Sequence, residues 1–286
     1  MRQRLTALAA LAATGLIASV ASAVPVYGIT MQNNLFSFDS AAPSAVLTGV
    51  YVTGLQTNEV ITGIDVRPST GEIFGAGSTG RLYTLNPTTG AATLVGSGFA
   101  PNPSGTEFGF DFNPTIDRIR LVSDTDANYV LNPITGATQL VATNLFYGPA
   151  DPNFGANPSI VGSAYTNSSP IGTTTQLYGI DSVLNTLVTQ ANNAGTLGTV
   201  GALGIDVSNL VGFDIAGANN TAYLSSNLGP ADTSKLYTVN LATGATTLVG
   251  EIGGGLFVRD ITVAIPEPAS LGLLGGLAVL TLRRRK

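Results

Sequence analysis

The sequence has no cysteine, no histidine and no tryptophan, and only a tenth of its 286 residues are charged. Without Cys there are no disulfides and no thiolate nucleophile, and without His as well there are no zinc sites of the Cys/His kind. The lack of His also rules out a Ser-His-Asp triad and removes the side chain that exchanges protons most easily near neutral pH. Positive charge is scarce where it would matter. Six of the twelve basic residues (Arg2, Arg4, Arg283, Arg284, Arg285 and Lys286) lie at the two ends, together with Glu267, one of the seventeen acids. The segment between them, residues 24–265, therefore holds six bases against sixteen acids, a net charge of −10. That leaves no basic footprint for nucleic acid, and like charges repel an anionic lipid face. Divalent cations and neutral glycans suit such a surface better. Stability must come from packing alone. A chain of this length can hide ~70% of its unfolded surface, and its 44% hydrophobic content argues against disorder.

The two ends read as addresses. Arg2 and Arg4 precede an apolar run, Leu5 to Val20, which Ala21-Ser22-Ala23 follows as a small-x-small cleavage site. This is the three-part pattern of a secretory signal peptide, residues 1–23, cut by signal peptidase so that the mature chain begins near Val24. A permanent anchor would need a span of ~20 apolar residues, and this run is shorter. At the other end Pro266, Glu267 and Pro268 precede an apolar stretch up to Leu282 and then four basic residues. Rigid prolines keep the motif extended, and the basic cluster stays on the cytoplasmic side. This tail, residues 266–286, resembles the PEP-CTERM sorting signal of Gram-negative bacteria. The resemblance implies processing by an exosortase, transient membrane anchoring through residues 269–282, and delivery to the cell surface or an extracellular matrix, often beside exopolysaccharide.

The middle of the chain repeats itself. Residues 81–96 (RLYTLNPTTGAATLVG) and 235–250 (KLYTVNLATGATTLVG) share Leu-Tyr-Thr, Asn, Thr-Gly-Ala and Thr-Leu-Val-Gly at equivalent places. Each reads as strand, turn, strand, with Gly90 or Gly244 at a turn position that takes φ > 0. Looser copies run over residues 35–52, 129–141 and 177–190. A second motif precedes the hairpins: Gly63-Ile64-Asp65, Gly109-Phe110-Asp111, Gly162-Ser163-Ala164 and Gly212-Phe213-Asp214, with glycines 46, 53 and 50 residues apart. That is the period of a four-stranded antiparallel blade. The first unit lacks a strand, and residues 257–263 are a strand without a hairpin. Joined, they would close a ring and remove exposed edges. The expectation is an all-β fold, a small β-propeller over residues 24–265 of about five four-stranded blades, or six if residues 196–207 pair independently. The tail would form a sorting helix.

With these repeats laid out, residues 63–96, 105–125, 161–167, 185–190 and 200–207 resemble the domain of unknown function numbered 4394. The resemblance implies a propeller-like fold, frequent company of PEP-CTERM tails, and no catalytic residues.

Asp65, Asp111 and Asp214, with Asp260 in the closing strand, are the residues that carry chemistry in a repeated position. They read either as a ring of carboxylates at the central channel, able to hold a structural Ca²⁺, or as caps of their own turns. Repetition in every unit favours the turn caps, since a site is usually local. Asp124-Thr125-Asp126 starts like a calcium loop, but Tyr129 and Thr135 stand where that loop needs Gly and Glu. It reads as a hairpin turn. Arg118 and Arg120 share a strand face, which suggests either a charge-paired surface or a carboxylate-recognising patch. Most tyrosines occupy strand positions and read as packing residues. No catalytic apparatus is evident. The expectation is a non-enzymatic glycan- or protein-binding propeller with no required cofactor. The competing reading is a carboxylate- and calcium-dependent hydrolase, a lactonase or a glycan-cleaving propeller.

Overall fold

The computed structural model describes residues 23–227 and 232–265. The apolar run of the signal peptide, Ala21, Pro266, Glu267, Pro268 and the rest of the tail lie outside them. Ala23 is the first described residue and is exposed.

The chain runs through β1 (Pro25–Thr30), β2 (Asn34–Asp39) and β3 (Ala42–Tyr51), then β4 (Ile61–Val66), β5 (Ile73–Gly77), β6 (Arg81–Leu85) and β7 (Ala92–Val95). Next come β8 (Phe108–Asn113), β9 (Arg118–Ser123), β10 (Asn128–Leu131) and β11 (Thr138–Val141). They are followed by β12 (Phe146–Tyr147), β13 (Ile160–Tyr165), β14 (Leu177–Asp181), β15 (Thr186–Gln190) and β16 (Thr196–Ala202). The last are β17 (Val211–Ile215), β18 (Ala222–Ser226), β19 (Lys235–Val239), β20 (Thr246–Glu251) and β21 (Val258–Val263). A single 3₁₀ turn, Asn192–Ala194, is the only helical segment among the described residues. No helix there is long and apolar enough to cross a membrane.

These strands make five antiparallel blades. Blade one is β21-β1-β2-β3, blade two β4 to β7, blade three β8 to β11, blade four β13 to β16 and blade five β17 to β20. The innermost strands β4, β8, β13, β17 and β21 touch one another in that cyclic order around the axis. Blade one is closed by the last strand: Val26 pairs with Val263, and Ile29 with Asp260. The ring closure expected from the incomplete first unit is present. Blade four departs from the sequence reading. Its Leu177–Gln190 hairpin is the middle pair of strands, and Thr196–Ala202 forms the outer strand of the same blade rather than a sixth blade. It also gains a short parallel strand, β12, on the outside of β16.

The inner strands β4, β13, β17 and β21 are buried along their whole length because each blade packs both faces on its neighbours. Between blades two and three, Phe74 meets Phe112 edge to face at 5.2 Å, with Leu82, Leu121 and Tyr129 around them. The recurrent Thr-Gly turn has a second task besides reversing the chain. Gly90 (φ 73°) and Gly244 (φ 82°) are equivalent, and each donates its N–H to the turn's opening Asn at 2.8 Å. Each also presses on the preceding blade: a Cβ at Gly90 would fall 2.1 Å from the Tyr51 carbonyl oxygen, and one at Gly244 would fall 2.4 Å from that of Gly201. The repeated hairpin is thus a blade-to-blade contact as well as a turn.

Alternating strand directions place the connections on two faces. One carries the turns 67–72, 86–91, 132–137 and 240–245, and both described ends of the chain, held together where Ala264 N–H donates to Pro25 O at 2.9 Å. The other carries the longer blade-to-blade connections 52–60, 96–107, 142–159, 203–210 and 252–257.

A buried carboxylate ring as the candidate functional site

The repeated Gly-x-Asp motif lies on the innermost strands, in mid-strand rather than in a turn. Each carboxylate therefore reaches sideways to the next blade. Asp65 accepts its own neighbour's N–H (Val66, 2.7 Å), the N–H of Phe112 in blade three (2.8 Å) and the hydroxyl of Thr262 in blade one (2.8 Å). Asp111 accepts the N–H of Tyr165 in blade four at 3.0 Å. Asp214 accepts those of Ile215 and, in blade one, Val263, both at 2.5 Å. Thr262 accepts the Val66 N–H at 3.0 Å. These bonds correct the reading of the acids as caps of their own turns. They are staples between blades, formed where an inner strand carries an aspartate at that level.

Asp260 is offset within the pattern. Its carboxylate accepts the N–H of Ile261 (2.9 Å) and of Ile64 (2.7 Å), a level two residues earlier along the strand than that of Asp65 and Thr262. It stands where the other inner strands have Gly63, Gly109, Gly162 and Gly212, and Thr262 takes the aspartate place. Ala164 takes that place in blade four. The ring at that level is therefore Asp65, Asp111, Ala164, Asp214 and Thr262.

Asp65, Asp111 and Asp214 are all buried, and each offers a carboxylate oxygen within 4.8 Å of the others. Burial, and then the Asp214 carboxylate, pushes Asp65 well above the ordinary carboxylate range. Burial, then Asp65 and Asp214, does the same to Asp111. Burial raises Asp214, and burial with the Asp65 and Asp214 carboxylates raises Asp260 well above the ordinary range, against the N–H bonds that favour their charged forms. No cationic side chain answers them. Among the described residues the ion pairs are Arg67–Asp117, Lys235–Asp232 and Arg259–Glu107.

The other sequence candidates have plain structural roles. Asp124, Thr125 and Asp126 form the β9–β10 turn, with Asp126 at φ 69°. Arg118 bonds Gln139, whereas Arg120 is buried and donates to Tyr165, Asn128 and Asn193, all neutral oxygens. Together they form neither an ion-paired surface nor an open carboxylate patch. Tyr83, Tyr129, Tyr147, Tyr165, Tyr223 and Tyr237 are buried packing residues.

Glu59 carries a polar cluster that no sequence pattern singles out, since it lies in a connection without a repeat. It is 4% exposed and accepts the Tyr83 hydroxyl at 2.6 Å, the Gln56 N–H at 3.1 Å, and both the N–H and hydroxyl of Thr79. Burial raises its carboxyl, but these bonds together hold it below the ordinary value of 4.5. Burial and Glu59 push Tyr83 up to about 12. Glu59→Gln should cost ~1–3 kcal/mol in denaturant unfolding at neutral pH, because buried donors lose a charged acceptor. A depressed carboxylate stabilises the fold above its unfolded pKa and loses that effect as pH falls through the folded value. The gap between wild type and variant should therefore shrink below pH 4.5.

The open cavities lie away from the axis. One, of about 660 Å³, is bordered by Pro149, Asp151, Thr189, Leu197 and Thr199. Another, of about 400 Å³, includes Tyr27, Glu72, Asn86 and Pro87. Each contains a single carboxylate.

No curated protein matches the sequence. Among solved structures, hydrazine synthase of Kuenenia stuttgartiensis is similar, with 12% identity and a TM-score of 0.41 over 70% of this chain and 53% of that one. The likeness spans about half of that protein and is too loose to inform the site. The family comparison is more definite: the model of the domain of unknown function DUF4394 matches residues 34–262, nearly the whole propeller, and the chain belongs to that family.

Proposed function

We propose that this protein is an exported propeller that binds a glycan or another protein at the cell surface or in an extracellular matrix and catalyses no reaction. The observation that carries this reading is where the acids lie. A glycoside-cleaving pair needs two carboxylates roughly 5–10 Å apart facing a substrate. Here the clustered carboxylates are buried at the axis and bonded to blade backbones, and the two open cavities described above hold a single acid each. Neither His nor Cys is available as a substitute proton carrier. A rigid ring bearing loops of unequal length suits recognition of an extended partner. Export rests on the two end signals, with signal peptidase and an exosortase as the processing enzymes.

Intact-mass measurement of surface-released protein should give a chain that begins near Val24 and lacks Arg283 to Lys286. Full-length chains outside the cell would refute the processing. Screening the same material on a glycan array and against lactone and polysaccharide substrates should give binding without turnover. Turnover lost on Asp111→Asn or Asp214→Asn would instead establish the hydrolase.

A further inference from the structure

We infer that the propeller axis holds one hard divalent cation, calcium in the first place, ligated by Asp65, Asp111 and Asp214, with Asp111 Oδ2 as the ligand atom the fold leaves for it. The geometry suits a single ion. Calcium–oxygen distances run ~2.3–2.6 Å, so ligand oxygens around one ion lie at most ~5 Å apart. The three carboxylates meet that limit at 4.8 Å.

A cluster of acids alone would not carry this. The deciding feature is how the oxygens are used. Asp65, Asp214 and Asp260 each have both carboxylate oxygens bonded to donors of the fold. Asp111, 1% exposed, has one: Oδ1 takes the Tyr165 N–H, and Oδ2 has no partner among the described residues. On that side the ring continues to Ala164, whose methyl offers neither donor nor acceptor. An unpaired oxygen on a residue only 1% exposed is costly unless something positive meets it. None of the three buried arginines serves, Arg67 being paired with Asp117. Arg120 is committed to neutral oxygens and Arg259 to Glu107.

The chemistry of the donor set selects the ion. All three ligands are hard oxygens in a chain without His or Cys, which favours calcium, magnesium or manganese over zinc or copper. Backbone N–H bonds to Asp65 and Asp214 fix the carboxylates from behind, as outer partners do in metal sites. The ion would tie together the inner strands of blades two, three and five and complete a belt that Ala164 interrupts. Asp260 has no part in it.

The test uses the full chain, unfolded in guanidinium with chelator and refolded either in calcium or in chelator. Elemental analysis of the calcium-refolded protein after desalting should find one equivalent of ion per chain, and its thermal midpoint should lie several degrees above that of the chelator-refolded protein. Asp111→Asn keeps an acceptor for Tyr165 but replaces the unpaired oxygen. It should retain no stoichiometric ion and melt identically in both buffers. Asp206→Asn, at an exposed acid, should behave as wild type. Wild-type protein without stoichiometric calcium, magnesium or manganese and with equal midpoints overturns the inference, as does ion retention by Asp111→Asn. Should Asp111→Asn fail to fold, the wild-type elemental analysis and paired midpoints decide alone.

Discussion

A chain ending at Phe257 should show no cooperative unfolding transition, whereas one ending at Ile265 should unfold in a single step. The difference is β21. Its Val258, Ile261 and Val263 are buried to within 5% of their surface and lie in the core shared by blades one and five. Burying three such side chains is worth ~5–9 kcal/mol, comparable with the whole stability of a domain. The strand also carries Asp260, Thr262 and the Val263 N–H, through which blade one is stapled to blades two and five. Without it, β1 and the inner strands on either side of the gap become open edges. Circular dichroism melts and size-exclusion chromatography of the two chains would show this. A cooperative monomeric melt from the shorter chain would mean that the other four blades are self-sufficient.

Gly109→Val should be nearly as damaging. Gly109 stands at the axis, where a Cβ would come within 2.7 Å of both the backbone nitrogen and Cβ of Ser163 and 2.8 Å of the Gly162 carbonyl carbon. These neighbours are backbone and inner-strand atoms of the adjacent blade, so relief requires moving a strand. Overpacking of this kind costs more than ~3 kcal/mol. Gly71→Ala is the contrast. That turn residue has φ 75° but nothing within 4 Å of the added Cβ, so only backbone strain is at stake, ~1 kcal/mol. Guanidinium unfolding of the two variants separates the effects. Equal losses would show that the axis relaxes more readily than its packing implies.

The blade count and ring closure were readable in the sequence because hairpins with near-identical Leu-Tyr-Thr and Thr-Leu-Val strands must adopt the same structure. Blade four was read less fully for the same reason, with a sixth blade left open at residues 196–207. Its Leu177–Gln190 hairpin resembles the outer pair of other blades, but its tight 182–185 turn joins the two middle strands, and the outer strand 196–202 lacks the Thr-Leu-Val signature. The acids were found but given the wrong partners. A repeat shows that Asp65, Asp111 and Asp214 are equivalent. It does not show that each reaches the next blade, because that neighbour is some 50 residues away and is set only by ring closure. Asp260 was aligned by residue type, whereas the register of β21 puts it at the glycine level. Glu59 carried no signal because it sits in an unrepeated connection.

The two ends of the described chain leave the ring side by side, at Pro25 and Ala264, on the face of the short turns. Any tether built from the residues beyond 265 therefore joins the disc at a single point beside its axis, at the end of the innermost strand β21. The opposite side carries the five blade-to-blade connections, one from each junction, and faces away from that point of exit. A partner reaching that side would meet segments of all five blades without passing the two chain ends.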